Sequence, residues 1–79
     1  LRLDRPDLEI LEIGCGWGGM AITLARDWGA RVTGITLSEE QLAVARRRAA
    51  EAGVADRCRF DLMDYRHWHR AVDRVVSVA

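Results

Sequence analysis

The sequence predicts an α/β domain: the first half of a doubly wound parallel sheet, incomplete, with four strands and two main helices. Three observations predict it. Short apolar runs alternate with helical patterns, the signature of strands joined by crossover helices. A glycine-rich loop stands where the first run meets the first helix. The alternation then stops at a fourth apolar run with no helix behind it, so two helices serve four strands, whereas a parallel sheet is covered on both faces.

The elements follow in order. Pro6 and Asp7 mark a turn before the first strand, which runs from Leu8 to Ile13 with Leu8, Ile10, Leu11 and Ile13 apolar. Gly14 to Gly19 forms the loop. Gly18 to Trp28 is a helix with Met20, Ala21, Leu24, Ala25 and Trp28 on one face, and Gly29 stands just past its end, where a left-handed residue is expected. Arg31 to Thr36 is the second strand. Ser38 to Ala52 is the second helix, closed by Gly53, and Arg57 to Leu62 is the third strand. Arg66 to Ala71 reads as a short helical turn. Asp73 to Ala79 is the fourth strand, carrying Val75, Val76 and Val78. The first strand is expected between the second and the fourth.

The 79 residues carry 12 arginines, no lysine and 12 acids, a formal net charge of zero. That balance gives no broad basic field and argues against nucleic-acid binding. An apolar share of 49% argues against disorder. No apolar run is long enough to span a bilayer, and the first residues do not read as a signal peptide. Cys15 and Cys58 make no disulfide framework, which fits a reducing, cytoplasmic setting. Two cysteines and two histidines without a Cys-x-x-Cys pair argue against a metal site.

The segment Leu11-Glu12-Ile13-Gly14-Cys15-Gly16-Trp17-Gly18-Gly19 carries the chemistry. Glycine opens backbone angles closed to other residues and lets a ligand approach the main chain. The helix behind it offers unpaired N–H groups and a partial positive charge. A nucleotide-like cofactor is the natural guest. Gly14, Gly16 and Gly19 also satisfy the dinucleotide spacing, but that pattern needs an acid at the end of the second strand. Gly34-Ile35-Thr36-Leu37-Ser38 offers no acid and no arginine, which weakens NAD and NADP alike.

Glu12-Ile13-Gly14-Cys15-Gly16-Trp17-Gly18-Gly19 resembles the first motif of class I S-adenosylmethionine-dependent methyltransferases, enzymes with a Rossmann-like sheet. Together with Thr33-Gly34-Ile35-Thr36-Leu37-Ser38-Glu39-Glu40-Gln41, it resembles the cyclopropane-fatty-acyl-phospholipid synthase and mycolic acid cyclopropane synthase family. That family carries a Thr-Leu-Ser-x-x-Gln run where most methyltransferases have a ribose-binding acid. Asp64-Tyr65-Arg66 and Asp73-Arg74-Val75-Val76-Ser77-Val78 are similar to its later segments. The resemblance covers about Pro6 to Ala79, the N-terminal half of the catalytic domain. It implies that an unsaturated acyl chain, as in a phospholipid, receives a methylene bridge across a cis double bond from S-adenosylmethionine. The alkene attacks the sulfonium methyl, a carbocation forms, and a base removes a proton as the ring closes. It also implies bicarbonate, whose site lies beyond this chain, and a peripheral contact with a membrane surface. The family's Phe-Glu-His segment would begin just past Ala79, so no catalytic residue is assigned and the isolated chain is expected to be inactive.

The candidate cofactor residues are Glu12, Gly14, Gly16, Gly18, Thr36, Leu37, Gln41, Asp64 and Tyr65. Glu12 ends a buried strand, where a carboxylate needs a partner: the loop N–H groups or a ligand ammonium. Thr36 and Leu37 lie at the carboxyl end of a parallel strand, the crevice side, with Thr36 suited to ribose and Leu37 to an adenine face. Gln41 has two jobs open to it. Ser38-Glu39-Glu40-Gln41 is a capping box, and the resemblance implies a glutamine facing the ribose hydroxyls. Asp64 can accept an adenine amino group, and Tyr65 can stack on the base. Arg46-Arg47-Arg48 reads as a solvated helix face, with Arg47 able to pair with Glu51. Trp17 opens the first helix and packs on the domain, and Cys15 is a small packing residue. Two further readings stay open: a small-molecule methyltransferase fragment, and an inactive module that retains only cofactor or partner binding.

Overall fold

The structure is a computed structural model and describes residues 8–77. The Pro6–Asp7 turn and the last two positions of the fourth strand lie outside the described residues. The elements are β1 (Glu9–Ile13), α1 (Gly19–Trp28), β2 (Arg31–Thr36), α2 (Glu39–Glu51), β3 (Cys58–Leu62), a 3₁₀ turn (Tyr65–His67) and β4 (Arg74–Ser77). All three strand pairings are parallel, in the order β3-β2-β1-β4, so β1 lies between β2 and β4 as expected.

Sequence explains where the helices stop. Gly29 adopts φ 70°, and its N–H bonds back to Ala25 while Ala30 bonds to Leu24, the reversal that releases the chain into β2. At the start of α2 the Ser38 hydroxyl accepts the Gln41 N–H at 3.2 Å, with Glu39 and Glu40 in the positive first turn. The one helical turn in the later loop falls at Tyr65–His67 rather than over Arg66–Ala71, because Asp64 caps it by accepting the Arg66 N–H at 3.0 Å.

The core joins Leu8, just before β1, and Ile10, Val32, Cys58 and Phe60 of the sheet to Ala21, Ile22, Leu24, Ala25, Ala45 and Ala49 of the helices. Small alanines let α1 and α2 lie close on the strands. The expected apolar face of α1 needs correction. Ala21, Ile22, Leu24 and Ala25 are buried, whereas Met20 and Trp28 are 44% and 58% exposed. At about 100° per residue, Met20 rotates off the Ala21–Ala25 stripe. Trp28 stays on the stripe but lies in the final turn, past the end of the core. Trp17 is half exposed and precedes α1, which begins at Gly19.

In-register rows cross the sheet, and one row is unusual: Phe60, Gly34, Glu12 and Val76 stand side by side on β3, β2, β1 and β4. A carboxylate thus shares a row with apolar groups. Both thiols are buried, and burial pushes each up to about 11, so neither is a nucleophile near neutral pH. Among the described residues no helix is long and apolar enough to cross a membrane, and no cluster of His, Cys, Asp and Glu could hold a metal ion.

Candidate functional site

The site forms where the carboxyl ends of β1, β2 and β3 converge, the crevice side of a parallel sheet. The glycine loop is bound to β2 there: the Gly14 and Cys15 N–H groups both donate to the Ile35 carbonyl at 3.0 Å, and the Gly18 N–H donates to Cys15 O at 3.0 Å. Gly14, Gly16 and Gly18 have φ of 73°, 56° and 88°, all in the left-handed region. Their surroundings separate their roles. A Cβ on Gly16 would meet nothing within 4 Å, so the backbone there faces open space. A Cβ on Gly18 would stand 2.9 Å from the Ala45 Cβ and 3.2 Å from the Phe60 ring, so Gly18 lets α2 close on the loop.

Beside the loop lies a cleft of about 530 Å³, lined by Ile13, Gly14, Ile35, Thr36, Leu37, Met63, Asp64, Tyr65 and Arg66. Its size and mixed lining suit a small organic ligand. Leu37 and Tyr65 are 75% and 57% exposed at its rim, two apolar surfaces available to a flat ring. Asp64 is held by Arg66, whose Nε and Nη2 donate to Oδ2 at 3.1 and 2.7 Å, and this pairing lowers the carboxyl to about 2. Asp64 is therefore ionised and acceptor-only at neutral pH.

Glu12 lies at the end of β1, 1% exposed, and its Oε1 has no hydrogen-bond partner. Of the loop N–H groups, those of Gly14 and Cys15 are taken up by the Ile35 carbonyl and that of Gly18 by the Cys15 carbonyl. Desolvation without compensation raises the carboxyl from an ordinary 4.5 to about 7. A buried acceptor in this state is incomplete without a donor.

The capping box forms by half. Ser38 caps the Gln41 N–H, but the Gln41 side chain does not return to the Ser38 N–H, which donates instead to Thr36 Oγ1 at 3.1 Å. The Thr36 hydroxyl then donates to Gln41 Oε1 at 3.2 Å. Gln41 is thereby oriented at the end of β2 by the oxygen of its amide, and its NH₂ group remains for a further acceptor. Gln41→Ala should lower the melting temperature only modestly, because it removes the acceptor of the Thr36 hydroxyl but leaves the Ser38 N–H served by Thr36. It should weaken S-adenosylhomocysteine binding by on the order of 1 kcal/mol, one neutral hydrogen bond. Calorimetry and thermal melts of the full-length protein decide this, and unchanged affinity would remove Gln41 from the site.

Of the nine candidate residues, Gly14, Thr36, Leu37, Asp64 and Tyr65 line the cleft, and Gln41 joins it through Thr36. Glu12 is buried at the end of β1, Gly16 faces open space in the loop, and Gly18 packs against α2. Ile13, Ile35, Met63 and Arg66 also line the cleft. Arg66 had one signal in the sequence, its place two residues after an aspartate; the apolar three had only their position at strand ends. The arginine triplet is more than a solvated face. Arg46 donates twice to the Phe60 carbonyl, at 2.8 and 3.1 Å, and Arg48 donates to the Trp17 carbonyl at 3.0 Å. No ion pair joins Arg47 to Glu51 among the described residues.

The family model described as mycolic acid cyclopropane synthetase matches residues 1–79. A Pseudomonas putida protein named as a probable fatty acid methyltransferase is 45% identical over 80 aligned positions, covering 99% of this chain and 20% of the relative. The cyclopropane-fatty-acyl-phospholipid synthase of Escherichia coli K12 is 39% identical over 74 positions, covering 94% of this chain and 18% of that protein. A methyltransferase from Geobacter sulfurreducens, solved with S-adenosyl-L-homocysteine, superposes with a TM-score of 0.87 at 37% identity, over 94% of this chain and 30% of that one. The chain spans about a fifth of the length of the two curated relatives. By its sequence over its whole length and by its fold, the chain belongs to the mycolic acid cyclopropane synthetase family.

Proposed function

We propose that this chain supplies the S-adenosylmethionine site of a methyltransferase of the cyclopropane synthase type, acting on the cis double bond of an acyl chain such as that of a phospholipid. The carrying observation is Glu12: a buried carboxylate left without a donor at the end of β1, next to a glycine loop whose Gly16 faces open space. A ligand with an ammonium group, a ribose and a flat base meets each demand of the site. The ammonium serves Glu12, directly or through water. The ribose meets the free NH₂ of Gln41 beside Thr36, and the base lies between Leu37 and Tyr65, with Asp64 as acceptor for an exocyclic amine. When bound, S-adenosylmethionine supplies an electrophilic methyl group, and its transfer to an alkene with loss of one proton leaves a methylene bridge. This chain's residues hold that donor, and the apolar lining from Ile13, Ile35 and Met63 keeps water from it. As a 1–79 partial domain it contributes no proton-removing group to the reading. Bicarbonate, and a cytoplasmic enzyme meeting a membrane surface from outside, belong to the same proposal.

The test uses the full-length protein. S-adenosylhomocysteine should bind in calorimetry, and NADH should give no comparable heat. Gly16→Asn keeps a residue that tolerates the left-handed region while placing bulk on the ligand side, and should weaken binding by on the order of tenfold. Vesicles of cis-monounsaturated phospholipid should gain one methylene per acyl chain and lose the alkene. A methyl group gained without a ring would leave only the coarser methyltransferase reading. Absence of S-adenosylhomocysteine binding would overturn both.

A further inference from the structure

We propose that Arg48 is a positioning residue for the cofactor: acting through the Trp17 carbonyl, its guanidinium holds the glycine loop in the form that admits the ligand. The proposal rests on the reading of that loop as the cofactor cradle.

The loop needs an outside support. Trp17 stands between Gly16 and Gly18, both left-handed, and glycine gives up more conformational freedom on ordering than any other residue. The internal bonds secure the base of the loop, where Gly14 and Cys15 meet Ile35, and the turn from Cys15 to Gly18. In that set the peptide after Trp17 is held by its Gly18 N–H alone, and its carbonyl accepts nothing. Arg48 reaches it from α2, with Nη1 at 3.0 Å from the Trp17 carbonyl and Nη2 3.9 Å from where a Cβ on Gly19 would stand. A charged donor on a carbonyl is stronger than a neutral one, although exposure weakens it.

Helical spacing gives this contact a consequence for the ligand. Gln41, Ala45 and Arg48 are at i, i+4 and i+7, one stripe along α2. Gln41 takes the Thr36 hydroxyl, Ala45 closes on Gly18, and Arg48 holds the peptide after Trp17. One helix face thus registers the end of β2 against the glycine loop. Arg46, donating twice to the Phe60 carbonyl, secures the same helix to β3. If the loop samples other forms once Arg48 is removed, the apparent affinity falls by the fraction of time it is receptive.

The full-length protein is compared as wild type, Arg48→Met, Arg48→Lys and Arg47→Met. S-adenosylhomocysteine affinity, melting temperature and amide exchange of Gly18 in the ligand-free protein are read for each. Arg48→Met should bind about fivefold more weakly, the scale of an exposed charge-assisted hydrogen bond, with a small change in melting temperature and faster Gly18 exchange. Arg48→Lys, which keeps a charged donor, should recover part of the affinity, and Arg47→Met should match wild type. Unchanged affinity in Arg48→Met overturns the proposal, whatever its melting temperature, and so does an equal loss in Arg47→Met. Should Arg48→Met fail to fold, Arg48→Gln, too short to span the same distance, is read with the same two outcomes. If the wild type itself binds no S-adenosylhomocysteine, the cofactor reading fails, and unaltered Gly18 exchange in Arg48→Met then separately refutes the support of the loop by Arg48.

Discussion

Between pH 4.5 and pH 8 the ligand-free wild-type protein is expected to lose roughly 3 kcal/mol of stability at Glu12, and Glu12→Gln to lose none of it. The folded carboxyl titrates at about 7 because burial disfavours its charge, while in the unfolded chain it titrates near 4.5. Across that window the folded state keeps a proton that the unfolded state releases. Stability is therefore full below 4.5, falls as pH rises, and levels off above 7. Urea midpoints at pH 5, 6, 7 and 8 measure it, and parallel curves for the two proteins would refute it. Cofactor affinity should move the other way. A ligand ammonium favours the ionised carboxylate, so binding to the wild type strengthens from pH 6 to pH 8, whereas the glutamine variant binds weakly and with little pH dependence. The same side chain thus weakens the empty protein and strengthens the loaded one.

Gly34→Ala should destabilise by about 1–3 kcal/mol or more, the range of core overpacking. The added methyl would stand 2.7 Å from the Cys15 Cβ and 2.8 and 3.0 Å from two atoms of the Phe60 ring. Neither neighbour can yield easily. Cys15 is pinned through its N–H to the Ile35 carbonyl, and Phe60 is 2% exposed in the core. Shrinking the obstacle tests the cause: Phe60→Leu should cost less in the Gly34→Ala background than in wild type. Strict additivity of the two losses would show that the ring is not what the methyl meets. Because Cys15 belongs to the glycine loop, the same substitution should also reduce cofactor affinity.

Periodicity and glycine placement carried most of the fold. The strands, both helices and the position of β1 between β2 and β4 follow from apolar runs, from Gly29 and Gly53 as stops, and from the crossover rule. What escaped were features that depend on contacts distant in sequence. The spacing of Ser38 and Gln41 suggests a complete capping box, but Thr36, brought alongside by the end of β2, takes the second half of it. Three consecutive arginines look alike as text. Only the packing of α2 on β3 and on the glycine loop gives Arg46 and Arg48 separate carbonyls. The glycines of the loop share one spacing rule, and it took the position of α2 to separate Gly16, open to a ligand, from Gly18, pressed on Ala45. Trp28 fits the helical stripe perfectly well by period and is still exposed, since period says nothing about where the core ends.

The bond from Arg46 to Phe60 also bears on strand pairing at the margin of the sheet. β3 is an outer strand of the sheet, and an outer strand offers its unpaired main-chain groups as a template to any passing chain. At Phe60 that offer is withdrawn: the carbonyl already accepts two guanidinium donors, and the ion pair of Arg59 with Asp61, 2.9 Å apart, sets charge on either side of it. An intruding strand would have to evict an arginine and strip water from charges before making its first bond there. The residue that steadies α2 is thus also a guard against fibril-like association along this margin.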